Sequence, residues 1–139
     1  MSATVPSALG AAIAARDQGR YSVNFNGDGD FMVQPGALWT AAHHKLPLLT
    51  IVHNNRAWHQ EAMHLQRIAN RRERQPEHAT LGTLINNPNI DYAKLAESFG
   101  VYGEGPISNP DQLGPALARA LKVVKNGLPA LVDVVSQPR

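Results

Sequence analysis

Two short polar segments hold the residues best suited to chemistry in this chain: Gly27-Asp28-Gly29-Asp30 and Asn54-Asn55. Each directly follows an apolar stretch that reads as a β-strand. Between Gly29 and Asn54 lie 24 residues, room for one helix and one strand. The pair therefore belongs to one β-α-β unit, and both turns emerge at the carboxyl edge of the same sheet. If the two strands are neighbours they lie about 5 Å apart, so side chains from both turns can meet one ion. A carboxylate and an amide oxygen suit a hard cation such as Mg²⁺ rather than zinc. Glycines on either side of Asp28 let the backbone approach a phosphate and aim N–H groups at it. Singly, Gly-Asp-Gly is a common turn and Asn-Asn a common loop. The signal is their placement at equivalent strand ends, one crossover apart.

Other polar residues say less. His43 and His44 are adjacent on a helix and face different directions, which makes them a poor metal pair. His59, Gln60, Glu61 and His64 come just after Asn-Asn; His59 or Glu61 could contact a substrate or move a proton, or the group could be a solvated helix face. Arg67, Arg71, Arg72 and Arg74 form the one basic cluster, interrupted by Glu73; a phosphate-rich ligand or nucleic acid could use it, but it reads better as a solvated helix end and loop. Trp39 and Trp58 fit packing positions better than base stacking.

The elements that must position these groups follow from periodicity. Residues 6–15 read as a helix of small residues with Pro6 in its first turn, ended by Gly19. Residues 21–26 alternate like a strand and run into Gly27-Asp28-Gly29-Asp30, expected as a tight polar turn. Residues 37–45 read as a helix stopped by Leu46-Pro47, and residues 48–53 as a strand buried on both faces. Trp58, Ala62, Leu65 and Ala69 have the spacing of a helix with one buried stripe. Residues 70–89 lose all period and are expected to be a mobile loop with little structure of its own. Residues 91–99 read as a helix capped by Gly100, Val101-Tyr102 as a short strand, and residues 130–135 as a final strand. Asn109 and Pro110 open the last helix, Leu113, Leu117, Ala120, Leu121 and Val124 form its buried face, and Gly127 closes it. Strands alternating with helices imply an α/β fold, a mostly parallel sheet with helices on both faces.

Composition sets the frame. The 139 residues, 43% hydrophobic and 17% charged, suit a single globular domain. The absence of cysteine excludes a disulfide scaffold, a thiolate metal site and a cysteine nucleophile. A net charge of +2 lacks the clustered excess of a nucleic-acid module. No apolar run is long enough for a membrane span, and no signal-peptide pattern opens the chain, so a cytoplasmic location is expected.

With its Gly-Asp-Gly to Asn-Asn spacing, the chain resembles the thiamine diphosphate-binding domain of acetolactate synthase-like enzymes, a family that includes pyruvate decarboxylase and benzoylformate decarboxylase. The surroundings GDGDFMVQPGALWTAAHHKLPLLTIVHNNRAWHQE, IDYAKLAESFGVYGEGPISNPDQLGPALARAL and PALVDVV carry the resemblance over nearly the whole length. It implies that Asp28, the amide of Asn55 and the backbone carbonyl of Ala57 bind Mg²⁺. It also implies that Gly27, Gly29, Asp30 and Phe31 belong to a turn whose backbone packs around the diphosphate. The family often carries Ser or Ala where Asp30 stands; a carboxylate there must point away from the diphosphate. Asn54 is expected to form the turn rather than bind. The stretch from His59 to His64 borders the substrate channel in such enzymes.

The same resemblance implies an incomplete active site. The pyrimidine ring of the cofactor is held by a separate domain, usually of a second subunit, which carries an activating glutamate. Glu61, Glu73, Glu77, Glu97 and Glu104 stand in no such context. The bulky residue that bends the cofactor would fall at Met1, to which the role is not carried over, and the domain reads as partial at its N-terminus. The expected function is to bind the Mg-diphosphate part of thiamine diphosphate as half of a 2-oxo acid decarboxylase or carboligase. A homo-oligomer, or a partner chain bearing the pyrimidine domain, would complete it. The alternative is a non-catalytic remnant, or an interaction module docking onto a partner enzyme subunit.

Overall fold

The computed structural model describes residues 3–136. Four strands, β1 (Ser22–Gly27), β2 (Leu48–Asn54), β3 (Tyr102–Ile107) and β4 (Ala130–Val135), pair in parallel in the order β1-β2-β4-β3. Six α-helices accompany them: α1 (Thr4–Arg16), α2 (Asp28–Val33), α3 (Ala37–His43), α4 (His59–Arg71), α5 (Tyr92–Ser98) and α6 (Pro110–Lys125). This is the α/β architecture expected. None of the described helices is long and apolar enough to cross a membrane.

The pleat sends alternate side chains to opposite faces, and each face has its own core. Leu48 and Val52 of β2 and Leu131 of β4 point to the side covered by α1, α2, α3 and α5, where Val5, Phe31, Leu38, Tyr92 and Ala96 are buried. Leu49, Ala130 and Val132 point the other way, against Ala116, Ala120 and Val124 of α6. Each such Leu or Val taken fully out of water stabilises the fold by about 1.5–3 kcal/mol. Strand β1 departs from this scheme. It lies at the sheet edge beyond the reach of α6, so Val23 and Phe25 stay 56% and 69% exposed while Asn24 and Asn26 are buried.

Helix ends follow their sequence signals. The Asp91 side chain accepts from Lys94 N at 2.9 Å to open α5, and Asn109 Oδ1 accepts from Asp111 N at 3.0 Å to open α6. Gly127 ends α6 with φ +84°, a left-handed conformation natural to glycine.

Four local expectations change. Gly27-Asp28-Gly29-Asp30 is not a free turn: β1 ends at Gly27 and α2 begins at Asp28 without a loop. The α4 stripe is not buried as a stripe; Ala62 is, but Leu65 is 44% exposed, because α4 packs chiefly on the segment that follows it rather than on the sheet. That segment, residues 70–89, has more structure than its composition promised. A 3-10 helix spans Pro76–Thr80, and Leu84 bridges antiparallel to Ala57. Finally, the Val101-Tyr102 strand runs on to Ile107, past a register shift between Glu104 and Ile107.

Candidate functional site

Parallel pairing of β1 with β2 places Gly27 opposite His53, so Asp28 and the Asn54-Asn55 pair leave the sheet side by side at its carboxyl edge. Gly27, Asp28, Gly29, Asp30, Asn55 and Ala57 line one open cleft of about 160 Å³. The neighbouring strands on which the sequence argument depended are thus neighbours in space.

Asp28 is 1% exposed. Its Oδ1 accepts from Gly29 N at 3.0 Å, whereas its Oδ2 is buried with no hydrogen-bond partner among the described residues. Burial raises its pKa above the usual carboxylate value; the backbone N–H groups of Gly29, Arg56 and Ala57 oppose that rise without completing a bond to Oδ2. An unpartnered buried carboxylate oxygen is costly, and a bound cation relieves that cost most directly.

Arg56, at φ +59°, turns the chain sharply after β2. Asn55 is half-buried, and its Oδ1 accepts from Ala57 N at 3.0 Å. The bridge between Ala57 and Leu84 is made by the flanking residues: Trp58 N donates to Thr83 O and Ile85 N to Arg56 O, both at 2.7 Å. In such a pairing the N–H and C=O of Ala57 itself face away from Leu84. They face the Asn55 side, where the Ala57 N–H already bonds. Residues 83–85 therefore fix the orientation of the Ala57 carbonyl.

Asn54 is part of the frame. Its Nδ2 donates to Asp133 Oδ1 at 3.0 Å, and the other carboxylate oxygen, Asp133 Oδ2, accepts from Tyr92 N at 3.4 Å. Asp133 is fully buried, and burial raises its pKa against these two bonds. The sequence reading missed this residue. Its one sign was a carboxylate inside the apolar run Ala130–Val135, which α/β strands seldom carry without a partner. Trp58 was also undervalued: a Cβ on Gly29 would stand 2.8 Å from Trp58 Cδ2, so the indole lies directly on the Gly-Asp-Gly backbone.

The remaining candidates separate. Asp30 is exposed. Phe31 is fully buried, with its ring edge-on to Tyr92 at 5.5 Å, so only its backbone can approach the cleft. His59, Gln60 and Glu61 line the cleft, while His64 does not. His43 stacks on Trp39 at 4.9 Å on the exposed side of α3. Among the described residues no group of three or more His, Asp or Glu side chains could hold a metal. Of the carboxylates lining the cleft, Asp28 is the buried one, while Asp30 and Glu61 are exposed. Met1 lies outside the described residues.

A parallel α/β sheet with its polar cleft beyond the carboxyl ends of adjacent strands defines a class of ligand-binding domain. The chain belongs to the family described as "Thiamine pyrophosphate enzyme, C-terminal TPP binding domain", whose pattern matches residues 1–134. It is 30% identical over 130 residues to an acetolactate synthase of Bacillus subtilis, covering 94% of this chain and 20% of that protein. A sulfoacetaldehyde acetyltransferase of Alcaligenes xylosoxydans xylosoxydans is 26% identical over 132 residues, again 94% of this chain and 20% of the relative. Among solved structures, the thiamine diphosphate-dependent 4-hydroxybenzoylformate decarboxylase of Rhodococcus jostii RHA1 superposes with a TM-score of 0.76 at 26% identity. That match covers 99% of this chain and 23% of the other. The chain spans about a fifth of the length of these relatives.

Proposed function

We propose that this domain binds the Mg²⁺-diphosphate end of thiamine diphosphate and forms half of the active site of a 2-oxo acid decarboxylase or carboligase. The observation that carries the reading is Asp28 Oδ2, buried and unpartnered, on a residue that lines one cleft with Asn55 and Ala57. One carboxylate, one amide oxygen and one backbone carbonyl are the donor chemistry of a hard cation that keeps phosphate oxygens as its other ligands. Apart from its chain neighbours, no described residue comes within 4 Å of a Cβ built on Gly27, which leaves space for the diphosphate against the backbone. Within this reading Asp28 and Asn55 bind, Trp58 and Asn54 hold their positions, and Asp30 turns to solvent. When bound, thiamine diphosphate supplies the electron sink for breaking the bond between the carboxyl and carbonyl carbons of a 2-oxo acid. His59 and Glu61 line the cleft wall, and in this reading they contact the substrate.

The family membership supports the cofactor, and the short span relative to the relatives supports an activity completed by a further domain. Exposed Val23, Phe25, Leu65 and Ile68 offer apolar surface for such a domain to cover. Calorimetric titration with thiamine diphosphate, with and without Mg²⁺, tests the reading. Mg²⁺-dependent binding by the folded chain, without turnover until a pyrimidine-binding partner is added, is the expected result. Folded protein that takes up no heat in either titration would refute it.

A further inference from the structure

The amino edge of the sheet, opposite the cleft just described, carries a second constellation. Arg16 ends α1, Arg20 and Tyr21 lead into β1, Lys45 lies in the turn before β2, and Lys125 ends α6. All five line one open cavity of about 400 Å³ whose floor is Val124, and no residue lining it is acidic. The nearest acid in sequence, Asp17, is exposed and accepts from Arg16 Nε at 3.2 Å, which engages one of that guanidinium's donors.

A cation at a helix C-terminus is ordinary, because it offsets the negative end of the helix dipole, and Arg16 and Lys125 can be explained that way one helix at a time. Arg20 and Lys45 are placed there by turns. Both lie beyond their helices: Arg20 follows Gly19, at φ +68°, and Lys45 holds a left-handed φ of +48° that a long side chain rarely adopts. These two turns bring a third and a fourth cation to the same opening. Four like charges with only the exposed Asp17 beside them repel one another, and a multiply charged anion relieves that repulsion. The guanidinium groups offer the forked donors that phosphate oxygens accept. Tyr21, 44% exposed, adds a flat aromatic wall, and buried Val124 an apolar base.

We propose that this cavity is a second, Mg²⁺-independent site for an oligophosphate carried on a flat ring, of the chemical class of a nucleoside diphosphate. The phosphates meet Arg16, Arg20, Lys45 and Lys125, and the ring lies on Tyr21. The site does not depend on Asp28, Asn55 or the bound cofactor.

The test is titration of the chain with ADP in EDTA and about 50 mM salt, where charge attraction is only partly screened. The tyrosine ring resonances are followed by NMR alongside. ADP should bind and shift the Tyr21 resonances, and adenosine should bind about tenfold more weakly or not at all. The double variant Arg20→Ser/Lys125→Ser should weaken ADP by about tenfold or more while its melting temperature stays near that of the parent, since both side chains are exposed. Asp28→Ala should leave ADP binding in place, which separates this site from the carboxyl-edge cleft. The proposal is overturned if ADP does not bind, if the double variant binds it as tightly as the parent, or if adenosine binds equally well.

Discussion

Asp28 and Asp133 are both aspartates at 1% exposure or less, both near the carboxyl edge of the sheet, and both pushed by burial toward the protonated form. Their surroundings differ in one respect. Asp133 has a donor for each oxygen, Asn54 Nδ2 and Tyr92 N, and so ties β2, β4 and α5 together. Asp28 has Gly29 N on one oxygen and nothing described on the other. On the proposed reading, the carboxylate whose bonds close within the fold serves the fold, and the one left open serves the cofactor's metal. Burial alone would have ranked the two equally.

The largest effect should come from the closed carboxylate. Asp133→Ala strands the Asn54 amide and the Tyr92 N–H in the interior, and two unpaired buried donors should cost about 2–5 kcal/mol in urea unfolding. Asp28→Ala should separate binding from stability. It removes the unpaired Oδ2 but also the acceptor of Gly29 N, so unfolding stability should fall by less than in Asp133→Ala, while Mg²⁺-thiamine diphosphate affinity should fall about a hundredfold, or ~2.7 kcal/mol. If Asp28→Ala destabilised the protein as much as Asp133→Ala, the distinction between the two residues would fail.

A third effect is set by pH. Raised pKa values mean that the native state holds these protons more tightly than the unfolded chain does, whose aspartates titrate near 3.8. The two groups therefore contribute stability below that pH, and the contribution is lost as pH rises through the raised pKa values. Melting temperatures across pH should show this decline, and Asp28→Asn should remove its share of it. Saturating Mg²⁺-thiamine diphosphate should offset the Asp28 share at neutral pH and do less in acid, where the protonated carboxyl binds no cation.

Gly29→Ala should have a smaller effect. The new Cβ meets the Trp58 indole at 2.8 Å, and the shift required should cost about 1–3 kcal/mol and change Trp58 fluorescence. Unchanged fluorescence and stability would mean that Trp58 does not support the Gly-Asp-Gly segment.

The β-α-β unit, the placement of Asp28 and Asn55 at one sheet edge and the cap at Asn109 were legible because they depend on local spacing and local turn chemistry; residues 91–99 read as helix throughout, whereas Asp91 is the cap in front of it. The role of Asp133 was not, since its bond to Asn54 joins residues 79 apart in sequence. Helix α4 misled for a related reason: its period marks an amphipathic helix, but period does not say whether the apolar face finds a partner within the chain. Residues 70–89 read as having little structure of their own because their polar, aperiodic composition hides a short 3-10 helix packed on α4 and a pairing with Arg56–Trp58, neither of which leaves a period. The expectation of a tight polar turn at Gly27-Asp28-Gly29-Asp30 missed that Gly27 ends a strand and Asp28 starts a helix at once, which is how Asp28 comes to be buried.

The most direct test compares unfolding of the parent, Asp28→Asn and Asp133→Asn, with and without Mg²⁺-thiamine diphosphate at about a hundred times its dissociation constant. Binding to the native state alone should stabilise the parent by about 2.7 kcal/mol. Asp28→Asn should be as stable as the parent without ligand and gain almost nothing with it, whereas Asp133→Asn should be weakened and still respond. An equal ligand-induced gain in the parent and in Asp28→Asn would contradict the assignment of the open carboxylate to the cofactor.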